Sequence, residues 1–105
     1  MGMNESLFRE VNERLADRAD GRGSESFEIV CECDHEECTN RIAISVADYE
    51  TVRARPTDFI VLADHVDPTC ERVIASREGF EVVEKFGEAA EVARIANPRN
   101  GAEDS

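Results

Sequence analysis

The chain has no tryptophan, and only 6% of its 105 residues are aromatic. A chain this long buries roughly two-thirds of its unfolded surface, so with so few large rings the core is thin. No apolar run approaches the roughly 20 residues that a membrane-spanning helix needs, and no membrane partner is expected. The N-terminus lacks a basic start followed by an apolar core, so no secretory signal is expected. Its opening Met-Gly-x-x-x-Ser fits a myristoylation pattern only formally, and Gly2 reads as an incidental start residue.

Positive charge is also scarce. Twelve Lys and Arg face 24 Asp and Glu, for a net charge of −12. Such a chain repels phosphate backbones, which argues against general nucleic-acid binding. The densest basic stretch, Arg53 to Arg55, falls on a predicted helix end. The acidic surface keeps the protein solvated or docks a basic partner.

Enzyme signatures are missing too. There is no His-Glu-x-x-His, no Gly-x-x-x-x-Gly-Lys and no Gly-x-Ser-x-Gly. The Pro-Cys-x-x-Cys that zinc deaminases need does not occur. With 24 carboxylates, no single pair stands out. Glu36-Glu37 reads as solvated, and Glu84-Lys85 as a surface ion pair at a strand end.

What is present reads as a small α+β domain of short antiparallel strands with two or three helices. Leu7, Phe8, Val11 and Leu15 recur at helical steps and predict an amphipathic helix over 5–19, with Asn4 as cap and Gly21 as stop. It forms a unit over 1–20, free to pack on the domain or on a partner, followed by a flexible linker. Residues 26–98 form the α+β domain and 99–105 a polar tail. Phe27 to Cys33 predicts a strand, with Phe27, Ile29 and Cys31 on one side. Arg41 to Ile44 is its return strand. Ser45 caps a second helix that turns Tyr49, Val52 and Val46 inward and ends before Pro56. Phe59 to Leu62 is a third strand. Glu71 to Ser76 and Phe80 to Lys85 form a hairpin, preferred over a helix across 68–78. A last helix runs over Glu88 to Ala96, with Ala89, Val92 and Ile95 or Ala96 inward, and Pro98 stops it.

The clearest chemistry is Cys31-Glu32-Cys33-Asp34-His35-Glu36-Glu37-Cys38. A cytosolic, reducing setting is expected, and cysteines at this spacing then read as metal ligands rather than disulfides. A Cys31–Cys33 bond would also be strained. Cys31 and Cys33 project to one side of a strand end, and Cys38 returns after a tight loop. They form a zinc knuckle at the tip of a hairpin. A tetrahedral zinc wants a fourth donor. His65, in the loop after the third strand, is favoured over Cys70, and over His35 inside the crowded knuckle. Three thiolates and an imidazole leave no open position and make a poor Lewis acid, so the zinc is structural. Iron is the other metal such a set accepts, and Cys3His at this spacing leans to zinc.

The residues Phe27-x-x-x-Cys31-Glu32-Cys33-x-x-x-x-Cys38, Tyr49-Glu50-x-Val52-Arg53, His65, Glu71-Arg72-Val73 and Val82-Val83-Glu84-Lys85 carry a resemblance. The chain resembles a family of small bacterial proteins of unassigned activity, common in actinobacteria, from about Leu7 to Arg99. In that family the histidine follows Pro-Gly, whereas here Ala63-Asp64 precede His65. The family pattern lacks Cys70, which favours His65 as the fourth ligand. The resemblance implies a bacterial cytoplasmic setting and leaves the activity open. The expected function is a non-enzymatic protein-interaction or regulatory module with a protein partner, contacting it through the first helix and the acidic surface. The alternative is a thiol redox sensor using the same cysteines, whose Cys-x-Cys pair resembles that of redox-regulated zinc chaperones without their further Cys-x-x-Cys.

Overall fold

The computed structural model describes residues 2–23, 25–33, 38 and 40–96. The fold is α+β. Helix α1 (Gly2–Gly21) is followed by a hairpin of β1 (Ser26–Val30) and β2 (Arg41–Ser45). Helix α2 (Val46–Arg53), strand β3 (Asp58–Val61) and a 3-10 turn (Ala63–His65) come next. Strands β4 (Glu71–Arg77) and β5 (Phe80–Lys85) and helix α3 (Glu88–Ile95) complete it. The second sheet is antiparallel with strand order β3-β5-β4. The expected tail at 99–105, the stop at Pro98 and the Glu36-Glu37 pair lie outside the described residues.

The β4–β5 hairpin forms as expected and the rival helix over 68–78 does not. Arg77 pairs with Phe80, so the loop is only Glu78-Gly79. Gly79 sits at φ +94, a left-handed conformation that a side chain disfavours. Ile74 is the extra residue of a bulge between the Val73–Val83 and Ala75–Val82 pairs. Ser45 caps α2 as read, its Oγ accepting from the Asp48 N–H at 3.0 Å. Tyr49 and Val52 are buried there as expected, while Val46 is half-buried. β1 ends at Val30 rather than Cys33, because the next residues leave the hairpin for β3.

Both outer helices correct their expected facing. Helix α1 starts at Gly2, so Asn4 lies within it and is not its cap. Among its described side chains, which exclude Leu7, the buried ones are Arg9, Asn12, Ala16 and Ala19, a single helical face. Val11 is exposed, and Phe8 and Leu15 are only half-buried. The apolar stripe is therefore not the face that packs. Arg9 decides the orientation. Its guanidinium donates to the carbonyls of Pro56 (2.6 Å) and Ala93 (2.7 Å) and lies over the Phe59 ring. In α3 the buried residues are Ala90 and Ala93, while Val92 and Ile95 are exposed and Ala89 and Ala96 half-buried. A face of small side chains lets the α3 backbone come within reach of Arg9.

The core runs through both sheets. Ile29, Ile42, Ile44, Tyr49, Phe59, Ile60, Val61, Phe80, Val82 and Val83 pack together, with Cys31, Cys33 and Cys38 at one end. Helix α1 lies mainly on β1 and also touches α2 and α3.

Candidate metal centre

The β1–β2 ladder ends at the Val30–Arg41 pair. Beyond it the Cys31 N–H donates to the Asn40 carbonyl (2.9 Å), and the Glu32 N–H donates to the Ile60 carbonyl of β3 (2.8 Å). The run Cys31-Glu32-Cys33 is thereby fixed between the hairpin and the edge of β3. After β3 the 3-10 turn closes with the His65 N–H on the Leu62 carbonyl (2.9 Å) and swings the imidazole back toward the sulfurs.

Cys31, Cys33, Cys38 and His65 lie together, with their ligand atoms all within 4.8 Å of one another. His65 Nδ1 is 3.5 Å from Cys31 Sγ and 3.4 Å from Cys38 Sγ. A zinc tetrahedron with Zn–S of about 2.3 Å and Zn–N of about 2.0 Å has S···N edges of about 3.5 Å. The four residues therefore fit a metal ion and could hold one. The three cysteines are buried and His65 is half-buried.

The surroundings suit thiolates. The Leu62 N–H points at Cys31 Sγ (3.3 Å), and the Asn40 side-chain amide at Cys38 Sγ (3.6 Å). Such donors offset part of the charge that three thiolates place on one cation. Without a cation, burial pushes the Cys31 thiol far above its usual range, against the pull of the Leu62 N–H, and Cys33 and Cys38 add to the rise. A bound cation reverses that preference, since a coordinating thiol is deprotonated outright.

Cys70 is not part of the group. It is buried near Asp67, with Sγ 3.6 Å from Asp67 Oδ2. Burial pushes its thiol up to about 11, opposed by nearby Lys85. His35 lies outside the described residues.

Glu32, between two of the cysteines, is the residue that sequence reasoning missed. It is fully buried. Its carboxylate accepts from Arg53 Nη2 (2.8 Å), Asn12 Nδ2 (2.7 Å) and the Ile60 N–H (3.0 Å). Asn12 also donates to the Val30 carbonyl and accepts from the Val30 N–H, each at 2.8 Å. Arg53 lies over the Tyr49 ring, and the Tyr49 hydroxyl donates to Glu13 (2.8 Å). Burial would lower the Arg53 pKa, but Glu32, with Tyr49 and Glu13 adding to it, more than offsets this and the net shift is upward. The backbone segment that carries Cys31 and Cys33 is thus anchored to α1, α2 and β3 through one carboxylate.

The basic stretch expected at Arg53 to Arg55 is no patch. Arg53 is buried on Glu32, and Arg55 pairs with Asp58 and Glu84. Glu84 and Lys85 do not form the surface pair expected of them. Glu84 meets Arg55 and Arg72, while Lys85 is buried and pairs with Glu71.

No helix among the described residues is long and apolar enough to cross a membrane. Comparison with protein-family models, curated proteins and solved structures finds no match to the chain.

Proposed function

We propose that this chain is a zinc-binding domain whose Cys31, Cys33, Cys38 and His65 hold one structural ion, and that it serves as a non-enzymatic protein-interaction or regulatory module of the bacterial cytoplasm. The observation that carries the metal assignment is His65 Nδ1 at tetrahedral-edge distance from two cysteine sulfurs. The donor set is borderline-soft, which favours zinc over magnesium or calcium. Four protein donors fill the tetrahedron, and a closed site has no position for a reacting water. A regulatory or binding role suits a domain without a catalytic constellation in its sequence, and its net charge of −12 suits a basic protein partner.

The redox-sensor reading has less behind it. Sensor thiols are accessible and readily ionised. Cys31 and Cys33 are fully buried, and burial disfavours the Cys31 thiolate.

Native mass spectrometry of protein made in zinc-supplemented cells tests the metal assignment. One zinc is expected in the wild type and in Cys70→Ala, with loss or weakening in His65→Ala. A wild type without metal would overturn it. For the module, a pull-down under reducing conditions should give a stoichiometric partner. Binding only after mild peroxide would favour the sensor instead.

A further inference from the structure

A second site lies between the C-terminal end of α1 and the β1–β2 hairpin, independent of the metal centre. There an open groove of about 360 Å³ is lined by Arg18, Arg22, Arg41, Glu28, Leu15 and Phe27, among others. Arg18 is in the last turn of α1, Arg22 follows the helix end one turn on, its N–H on the Arg18 carbonyl (3.1 Å), and Arg41 opens β2. All three are exposed, and none has an ion pair or side-chain hydrogen bond among the described residues.

In this chain acids outnumber bases 24 to 12, and most bases outside the groove have a carboxylate close by. Arg14, Arg53, Arg55, Arg72 and Arg94 all do, Arg9 and Arg77 bonding main-chain carbonyls instead. The groove gathers three bases with one acid, Glu28. Like charges one helical turn apart repel, and a third from another element adds to the cost. A cation in the last turn of a helix suits the exposed carbonyls there, which accounts for Arg18 but not for Arg41 on β2.

We propose that this groove binds a dianionic oxyanion, a free phosphate or the phosphoryl group of a small phosphate monoester. Guanidinium groups match phosphate oxygens with paired, charge-assisted hydrogen bonds. The groove is at the small end of the range of ligand pockets, which are about 300–1,000 Å³, and that suits a small anion better than a chain segment. The overall negative charge does not forbid this. At physiological salt, charges more than about 8 Å away are largely screened, and the nearby arginines dominate. Glu28 is the opposing group, so neutralising it should strengthen binding.

Titration of the zinc-loaded full chain with inorganic phosphate, followed by amide NMR, tests the proposal. The control is sodium chloride at matched ionic strength, and a phosphate monoester and a poly-glutamate peptide form parallel arms. Saturable shifts are expected at Arg18, Arg22, Phe27, Glu28 and Arg41, from phosphate and from the monoester. Arg18→Gln and Arg41→Gln should each weaken binding by about tenfold or more, as loss of hydrogen bonds to a charged group does. Glu28→Gln should tighten it, and Arg14→Gln should leave it unchanged. These positions are exposed, and an unchanged melting temperature will show that the variants fold. If the shifts do not saturate, if chloride reproduces them, or if Arg41→Gln binds as the wild type does, the proposal is wrong. Preference for poly-glutamate over phosphate at the same residues would also overturn it.

Discussion

Two buried ion pairs stand in different halves of the molecule and hold different things together. In the metal half, Glu32 meets Arg53 and also accepts from Asn12 and the Ile60 N–H. In the sheet half, Glu71 meets Lys85 and also accepts from the Asp67 N–H (2.8 Å). The first joins α1, α2, β3 and the metal loop across 20 to 28 residues of chain. The second joins two strands that a tight turn already makes neighbours. A buried pair is weak evidence for stability in itself, because desolvation of both charges opposes their attraction. What differs is the number of elements that lose their positions when a pair is broken. One apolar core runs through both halves, so the Glu32 hub adds to packing that Ile29, Ile42, Ile44 and Tyr49 already share with Val82 and Val83.

Metal removal is the strongest way to break this comparison. The apparent binding free energy of a structural zinc is about 10 kcal/mol or more and counts as folding free energy. After chelation, amide protection should disappear from Phe27 to Leu62. Protection should persist longest in the β4–β5 hairpin, which depends on neither a cysteine ligand nor Glu32. Simultaneous loss in both regions would show that the halves are one cooperative unit and that the contrast is false. Unchanged circular dichroism and melting temperature after verified removal would exclude a structural metal.

Next in size come the two carboxylates. Glu32→Gln leaves Arg53 buried opposite a neutral amide. An arginine cannot shed its proton to relieve the burial. Breaking such a pair typically costs about 3–5 kcal/mol, and the variant should also hold zinc less tightly because its neighbours Cys31 and Cys33 lose their anchor. Glu71→Gln should cost less, below about 3 kcal/mol, because Lys85 can deprotonate when it loses its partner. It should leave zinc affinity unchanged. Denaturant unfolding and competition with a zinc chelator separate the two effects. An equal loss of zinc affinity in both variants would remove the distinction.

The cysteines were legible in the sequence because their spacing is diagnostic, and the β-strands because Val82, Val83 and Ile42 sit in short alternating or apolar runs. The choice of His65 over Cys70 was legible only as a preference, since the 3-10 turn that aims the imidazole leaves no pattern in Leu62 to His65. The buried face of α1 was illegible for a clear physical reason. Periodicity assigns apolar residues to the inside, yet Arg9 and Asn12 are buried because they satisfy main-chain groups that no apolar residue could. Val92 and Ile95 misled in the same way, since α3 buries its alanines to approach Arg9. Glu32 was hidden by number: one functional carboxylate among 24 acids has no signature until its partners are known.

The smallest effect sharpens the contrast from the other side. Cys70 is the one cysteine in the sheet half, buried beside Asp67 and outside the ligand group. Cys70→Ser should keep a full complement of zinc. It should cost only about 1 kcal/mol, because Asp67 can accept from the new hydroxyl. Its pH profile should also change. The folded thiol titrates at about 11, above the value near 9 of an unperturbed cysteine. Between those values the unfolded chain has released this proton and the folded chain has not. The unfolded state is then the more favoured as pH rises, so stability falls through that window. Serine does not ionise there, so the variant should lose stability less steeply from about pH 9 upward than the wild type. Buried Tyr49, whose hydroxyl is also pushed up, leaves a later decline common to both proteins. Parallel profiles would mean that Cys70 is open to water, and zinc loss in the variant would return it to the ligand set.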